Sequence, residues 1–189
     1  KLVFAEISKN TFCLDIEDVK KKITSNTKAI MLVHMAGYIT SDIEDFVKLC
    51  NENDISLIED AAHAPGACID NNYAGSFGIA GCFSFYPTKV ITSGEGGMVT
   101  TNDDKIARIA RSLQNRGRDM SNKKDELYNL PGRNIRMPEL SALLGRVQLN
   151  NLDSYLKNRQ NVAKIYKKKL DNINGIKVIL PKKIESSSC

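Results

Sequence analysis

The sequence predicts an α/β fold with a mostly parallel sheet, and two observations support this. Apolar runs alternate with amphipathic stretches through the first hundred residues, which indicates short strands alternating with helices. Residues 28–35 include an uncharged apolar run from Ala29 to Val33, which is typical of a strand buried in a parallel sheet. The order strand, helix, strand, helix, strand then favours parallel strands joined by crossover helices.

The elements of the first half follow in order. Residues 2–7 read as a strand, and Asp15 is expected to cap a helix over residues 16–23. Residues 28–35 form the next strand, and Ser41 is expected to cap a second helix with one apolar face. Further short strands are predicted at Ser56–Asp60, 81–86 and 97–101.

The second half of the chain is predicted to be mainly helical. Asp103 is expected to cap a helix over residues 104–116. Helices fill residues 138–170 in at least two segments, and Gly175 is expected to end this region. Residues 177–180 then read as a strand.

The composition excludes several classes of protein. Hydrophobic residues make up 42% and charged residues 26% of the chain, as in ordinary globular proteins. No apolar run approaches the roughly 18 residues of a membrane span, and no basic-then-apolar leader is visible. The cysteines are odd in number and lack a C-x2-C pair, which favours free thiols in a reducing cytoplasm over zinc ligands. They are Cys13, Cys50, Cys68, Cys82 and Cys189.

The net charge of +5 does not indicate a nucleic-acid partner. The basic runs read as solvated faces, and nucleic-acid binding would favour aromatic residues among them, whereas the chain has no Trp. An excess of positive charge is compatible with an anionic substrate. The runs are residues 20–22, 123–124, 167–169 and 182–183.

Chemically informative residues cluster around two predicted strand ends. Asp60 ends one strand, at the edge where open α/β sheets bind ligands, and His63 follows it. Ser84 lies near the end of the next strand, and Lys89 follows directly before a glycine-rich stretch, residues 94–97. These glycines allow the backbone to turn sharply beside a ligand.

These four residue types match the needs of pyridoxal phosphate. A lysine must hold the aldehyde as an imine, and a carboxylate must face the protonated ring nitrogen. Hydroxyl and backbone donors must bind the phosphate, and a further donor must face the ring oxygen. Each residue also has an ordinary structural interpretation: Lys89 as a surface charge, Asp60 as a helix cap, His63 as a structural histidine and Ser84 as a small strand residue.

The block from Asp60 to Thr101 closely resembles the sugar-aminotransferase family called DegT/DnrJ/EryC1/StrS. The resemblance extends upstream through residues 28–34 and 41–45, and it resumes downstream at residues 134–140. It implies the large domain of a fold type I pyridoxal-phosphate enzyme, a three-layer α/β/α structure with a mostly parallel sheet. Further matching positions are Gly145, Gln148, Leu149, Leu152 and Arg159.

The resemblance also implies a role for each candidate residue. Lys89 matches the Schiff-base lysine that later moves the proton, and Asp60 matches the partner of the ring nitrogen. His63 stands near the ring hydroxyl, and Ser84 matches the phosphate-binding serine. Asn134 matches an asparagine that reaches the cofactor phosphate of a neighbouring subunit, which implies a homodimer.

The implied reaction is a transamination from an amino donor, glutamate, to a keto-sugar nucleotide. Arg136 is a candidate for binding an anionic group of the substrate, or alternatively for an ion pair at the start of the following helix. Two other readings of the family are a sugar dehydratase, in which histidine replaces the lysine, and a non-catalytic cofactor-binding relative. The chain has no G-x-G-x-x-G after a strand and no G-x4-G-K-[ST], which disfavours nicotinamide and P-loop enzymes.

The chain departs from the family pattern at its ends. Members carry an N-terminal Gly-Thr-x-Ala type loop, which does not occur here, so we expect a fragment that is incomplete at both ends. Residues 1–160 would then belong to the cofactor-binding large domain and residues 161–189 to the start of the small domain. Such a fragment is expected to bind pyridoxal phosphate poorly on its own.

Overall fold

The computed structural model describes residues 1–118, 128, 130–181, 183–184 and 187–188. Lys123, Lys124, Lys182 and Cys189, which belong to the basic runs and the cysteines, lie outside these residues. In chain order the elements are α1 (Ile16–Lys22), β1 (Ala29–Val33), α2 (Ile43–Glu52), β2 (Ser56–Asp60), β3 (Cys68–Ile69), β4 (Asn72–Tyr73), β5 (Ala80–Ser84), β6 (Gly97–Thr100), α3 (Asp104–Gln114), α4 (Glu139–Asn150) and α5 (Leu152–Leu170).

Four strands form one sheet in the order β1–β2–β5–β6. β1, β2 and β5 are parallel, whereas β6 runs antiparallel to β5, and β3 and β4 form a separate hairpin. The mostly parallel sheet is thus confirmed. β6 reverses direction because the connection from β5, residues 85–96, contains no helix that could carry the chain back across the sheet.

One face of the sheet packs against α1 and α2. Ile30 and Leu32 of β1 are buried there, while Met31 between them points to the opposite face and is 62% exposed. Ile43 and Phe46 of α2 are fully buried, and burial contributes about 1.5–3 kcal/mol for each side chain of this size. This core therefore holds β1 and β2 in place behind an open sheet face.

Two of the three predicted helix caps are confirmed. The Asp15 carboxylate accepts hydrogen bonds from backbone N–H groups in the first turn of α1, and Asp103 does the same for α3. Ser41 as the cap of the second helix is wrong, because α2 has Asp42 at its N-cap position. The Thr40 carbonyl already accepts the N–H of Ile43 at 3.2 Å, so the helix begins after a turn centred on these residues.

Two predicted strands are absent, and both corrections have the same cause. Residues 2–7 are not a strand: Leu2 is 76% exposed, and the only β-pairing of the segment with a described residue is an isolated bridge between Ile7 and Leu14. Residues 177–180 are also irregular, and α5 ends at Leu170, before Gly175. Neither segment has a neighbouring strand among the described residues, and a strand needs one to satisfy its backbone groups.

In the described part of the chain, no helix is both long enough and apolar enough to cross a membrane.

Candidate active site

Two of the predicted site residues stand at the carboxyl ends of neighbouring parallel strands. Asp60 ends β2 and Ser84 ends β5. Asp60 is the Cα partner of Cys82, so Ser84, two residues beyond Cys82, points to the same face as Asp60. This is the open face on which Met31 is exposed. It is also the edge at which open α/β sheets bind their ligands.

A shallow depression of about 170 Å³ lies at these strand ends. Asp60 and Ser84 both line it, so the structure brings these two predicted residues into one site. Lys89, His63 and Asn134 are not part of its lining. The remaining lining residues are Met31, Ile58, Glu59, Ala62, Cys82 and Phe83.

The Asp60 carboxylate also stabilises the turn that follows β2. Its Oδ1 accepts a hydrogen bond from the backbone N–H of Ala62 at 3.1 Å. Its Oδ2 accepts none from the described residues and remains available to a ligand. The capping role and the ligand-binding role of Asp60 are compatible, because each uses a different oxygen.

Lys89 lies on the loop of residues 85–96 that joins β5 to β6, called the lysine loop below. Phe85 closes this loop, since its N–H donates to the Gly96 carbonyl at 2.9 Å and its carbonyl accepts the Ser93 N–H at 3.0 Å. Ser93 is only 2% exposed, so the end of the loop is packed. The Lys89 side chain is half-buried and makes no hydrogen bond or ion pair with a described residue, which leaves its amine available.

The glycines after Lys89 turn the chain as predicted. Gly94 and Gly96 have φ angles of 78° and 154°, in the region where only glycine is unstrained. A Cβ built at Gly94 would have nothing within 4 Å, so this part of the loop is open to an approaching group.

His63 and Asn134 lie outside the depression. His63 is exposed in the turn after β2, and its backbone carbonyl accepts a hydrogen bond from Ser188 Oγ. Asn134 is exposed and forms an isolated β-bridge with Asn115. The binding roles of these two side chains stay predictions.

Arg136 is exposed and donates a hydrogen bond from Nη1 to Oδ1 of Asn115. No ion pair of Arg136 is found among the described residues, and its role in substrate binding stays a prediction. On the same segment, Met137 Cε would lie 2.8 Å from a Cβ built at Gly96. The segment that carries Asn134 and Arg136 therefore borders the lysine loop.

A larger depression, of about 400 Å³, lies at the opposite end of the sheet. Its lining includes Lys28 and Asp54, which precede β1 and β2. It contains none of the predicted site residues, and ligands of open parallel sheets bind at the other end of the strands. We therefore place the candidate active site at the smaller depression.

A buried polar pair directly behind Asp60 was missed in the sequence analysis. Glu59 and His34 are both fully buried, and His34 Nε2 lies 2.9 Å from Glu59 Oε2. Strand alternation places Glu59 on the same buried face as Leu57, and a buried carboxylate requires a partner. The burial of Glu59 can be read from the alternation of the strand, but the alternation does not identify which residue is its partner.

The hydrogen bonds around Glu59 keep its carboxylate ionised. Burial alone would raise the pKa of Glu59, but the hydrogen bond from His34 and those from backbone N–H groups outweigh it and lower the pKa. An ionised carboxylate only accepts hydrogen bonds, so His34 Nε2 is the donor in this pair. His34 Nδ1 has no hydrogen-bond partner among the described residues.

The residues at this edge fit pyridoxal phosphate by the chemistry of their donor groups. Asp60 provides a carboxylate for a protonated ring nitrogen, and Ser84 provides a hydroxyl for the phosphate. Lys89 provides an amine for the aldehyde. Ile58 and Met31 supply apolar surface in the same depression for the ring.

Comparisons with known proteins identify relatives of this chain. The chain is 40% identical over 168 residues to a GDP-perosamine synthase from Vibrio cholerae, covering 89% of this chain and 45% of that protein. Thus it spans about half the length of the curated relatives it matches.

Two solved structures share the fold. The aminotransferase TlmJ from Streptoalloteichus hindustanus superposes with a TM-score of 0.90 at 28% identity, over 98% of this chain and 50% of that one. A GDP-4-keto-6-deoxy-D-mannose-3-dehydratase from E. coli, solved with bound hydrated pyridoxal phosphate, superposes with a TM-score of 0.87 at 28% identity. That match covers 98% of this chain and 51% of the dehydratase.

The sequence profile that matches this chain covers nearly all of it, residues 1–188. The chain therefore belongs to the DegT/DnrJ/EryC1/StrS aminotransferase family.

Proposed function

We propose that the full-length protein is a pyridoxal-phosphate aminotransferase that transfers an amino group from glutamate to a keto-sugar nucleotide. The observation that carries this proposal is the position of Asp60 and Ser84 on one open face, with Lys89 on the loop directly after β5. The substrate class is supported by the name of the GDP-perosamine synthase and by a second relative, 38% identical, named as a dTDP-amino-sugar transaminase.

Each residue of the site has a distinct task in this proposal. Pyridoxal phosphate, when bound, supplies an electron sink for the carbanion formed at the amino carbon. Asp60 holds a proton at the ring nitrogen, and Ser84 binds the phosphate through its hydroxyl. Lys89 would hold the cofactor aldehyde through Nζ, and its free amine would move a proton at the reacting carbon. His63 lies in the turn after Asp60, from which it would face the ring hydroxyl.

A sugar dehydratase is the nearest alternative, because one superposed structure is such an enzyme. In the dehydratase branch histidine replaces the lysine, whereas this chain carries Lys89. A non-catalytic relative would not need Lys89, Asp60 and Ser84 together. The aminotransferase proposal accounts for all three residues.

The proposal is tested with the full-length protein, pyridoxal phosphate and glutamate. Glutamate alone should convert the lysine-bound cofactor to pyridoxamine phosphate and release 2-oxoglutarate in a single turnover. A panel of GDP-, UDP- and dTDP-linked keto sugars should then restore the original cofactor absorbance for one of them. No 2-oxoglutarate and an unchanged cofactor spectrum would rule out glutamate as donor. A dehydrated sugar as product would favour the alternative.

Three further features belong to the same proposal: the oligomeric state, the domain boundary and the cellular location. We propose a homodimer in which Asn134 reaches the partner's cofactor phosphate, as the exposure of this side chain allows. The large domain would extend over residues 1–160 and the small domain would begin at residues 161–189. A cytoplasmic location is supported by the free thiols of Cys13, Cys50, Cys68 and Cys82.

A further inference from the structure

The Glu59 carboxylate accepts four hydrogen bonds at the centre of the fold. Oε2 accepts from His34 Nε2 at 2.9 Å and from the Gly75 N–H at 2.7 Å. Oε1 accepts from the N–H groups of Phe77 and Gly78 at 2.7 and 2.8 Å. A carboxylate has about four acceptor positions, so this one is fully occupied by the protein.

Three of these donors belong to residues 75–78, called the glycine turn below, which precedes β5. A Cβ at Gly81 of β5 would lie 2.2 Å from Gly75 Cα, so this turn packs directly on β5. The Gly75 carbonyl accepts the Thr100 hydroxyl of β6 at 2.7 Å. Glu59 therefore connects β2 through the glycine turn to both later strands of the sheet.

The direct pairing between β2 and β5 is short. It consists of three Cα partners: Ile58 with Ala80, Glu59 with Gly81, and Asp60 with Cys82. The glycine turn adds a second connection between these strands, behind the face that carries the candidate active site. Glu59 thus adds to the backbone bonds between the two strands, which at their carboxyl ends include that from the Ala61 N–H to the Cys82 carbonyl at 2.9 Å.

His34 connects the Glu59 carboxylate to β1. Its backbone N–H donates to the Asp60 carbonyl at 3.0 Å, while its ring donates to Glu59. The carbonyl of His34 accepts the Gly37 N–H at 2.9 Å, which closes a short turn after β1. One buried pair thus holds the carboxyl ends of β1 and β2 and the turn that leads to β5.

We propose that Glu59 is a positioning residue of the active site, which fixes the separation of Asp60 on β2 from Ser84 on β5 through the glycine turn. This inference rests on the proposed function, because it requires that Asp60 faces the ring nitrogen and Ser84 binds the phosphate of the same pyridoxal phosphate molecule. A buried pair that only stabilised the fold would change the unfolding free energy and leave the cofactor affinity of the folded protein unaltered.

The direct test is Glu59→Gln in the full-length protein. Glutamine keeps the shape, but its NH₂ group would face a backbone N–H of the glycine turn, and two donors cannot bond to each other. We expect faster amide hydrogen exchange at Gly75, Phe77 and Gly78 in the cofactor-free protein. We also expect pyridoxal phosphate to bind roughly 10- to 100-fold more weakly, the loss typical when hydrogen-bonded supports behind metal-binding side chains are removed.

Glu52→Gln is the matched control, because Glu52 is exposed and its one ion pair with a described residue is to Lys48 at 3.9 Å. It should keep wild-type exchange at the glycine turn and wild-type cofactor affinity. Thr100→Val removes the hydroxyl bond to Gly75 and leaves Glu59 untouched, so it should weaken cofactor binding in the same direction by a smaller factor. This variant decides the question if Glu59→Gln does not fold.

A folded Glu59→Gln protein with wild-type cofactor affinity would overturn the inference and leave the proposed function intact. The inference is likewise overturned if Glu59→Gln does not fold and Thr100→Val binds as the wild type does. If the wild-type protein itself binds no pyridoxal phosphate, the proposed function fails, and the positioning role fails with it.

Discussion

At the scale of single residues, strand alternation gives two neighbouring carboxylates different surroundings. Glu59 points into the core and meets His34, while Asp60 points to the open face. Asp60 could be predicted because a carboxylate at a strand end is a local feature of the sequence. The pairing of Glu59 with His34 joins residues 25 positions apart, and no local pattern contains that information.

Asp60→Asn tests the carboxylate that faces the ring nitrogen. The amide keeps the shape and can still accept the Ala62 N–H, so the folded protein should retain cofactor. It cannot hold a proton at the nitrogen, so the turnover number should fall by at least about 100-fold, the lower range for proton-transfer groups. The measurement is steady-state turnover of the full-length protein at saturating cofactor. A turnover within a few-fold of wild type would remove Asp60 from its role.

At the scale of elements, the four strands of the larger sheet were predicted, whereas the short β3–β4 hairpin was not. Two further strands were predicted that the structure does not form. The runs at β1, β2, β5 and β6 were identified from their apolar pattern and their bounding turns. Residues 2–7 and 177–180 have similar apolar content, but no strand among the described residues lies beside them. Pairing is a long-range property, so apolar content alone predicts strands only where a partner exists.

The two aspartates that begin helices provide a matched pair for a prediction about α1 and α2. The Asp15 side chain accepts N–H bonds at the start of α1, whereas Asp42 makes no such bond at the start of α2. Asp15→Ala should lower the free energy of unfolding by about 1 kcal/mol, and Asp42→Ala should lower it clearly less. Urea unfolding followed by circular dichroism measures both variants. Equal losses would mean that the cap bond of Asp15 contributes nothing.

At the scale of the whole molecule, large apolar surfaces are uncovered in this chain. The open sheet face exposes Met31, and α4 has no buried residue among those described, with Leu140 at 82% exposure. Patches of this kind bind apolar dyes and promote association. The 189-residue chain alone should therefore bind anilinonaphthalene sulfonate more strongly than the full-length protein and should bind pyridoxal phosphate poorly. Weak dye binding together with normal cofactor affinity would show that the isolated chain covers these surfaces itself.

The pH dependence of stability follows from the lowered pKa of Glu59. A carboxyl group whose pKa is lower in the folded state stabilises the fold above its ordinary value of 4.5 and loses that contribution as the pH falls through the lowered pKa. The difference in unfolding free energy between the wild type and Glu59→Gln should thus be constant from pH 7 to about 5 and shrink in more acid solution. Urea titrations across this range measure the difference. A difference that grows on acidification would contradict the ionised Glu59.

The central claim is that Lys89 Nζ binds pyridoxal phosphate covalently, and reductive trapping tests it most directly. The full-length protein is loaded with the cofactor, reduced with borohydride and digested, and mass spectrometry locates the phosphopyridoxyl group. Lys105→Ala, at an exposed lysine of α3, serves as the control and should label as the wild type does. We predict the group on Lys89, and its loss in Lys89→Ala. A label on another lysine, or undiminished labelling of Lys89→Ala, would contradict the account.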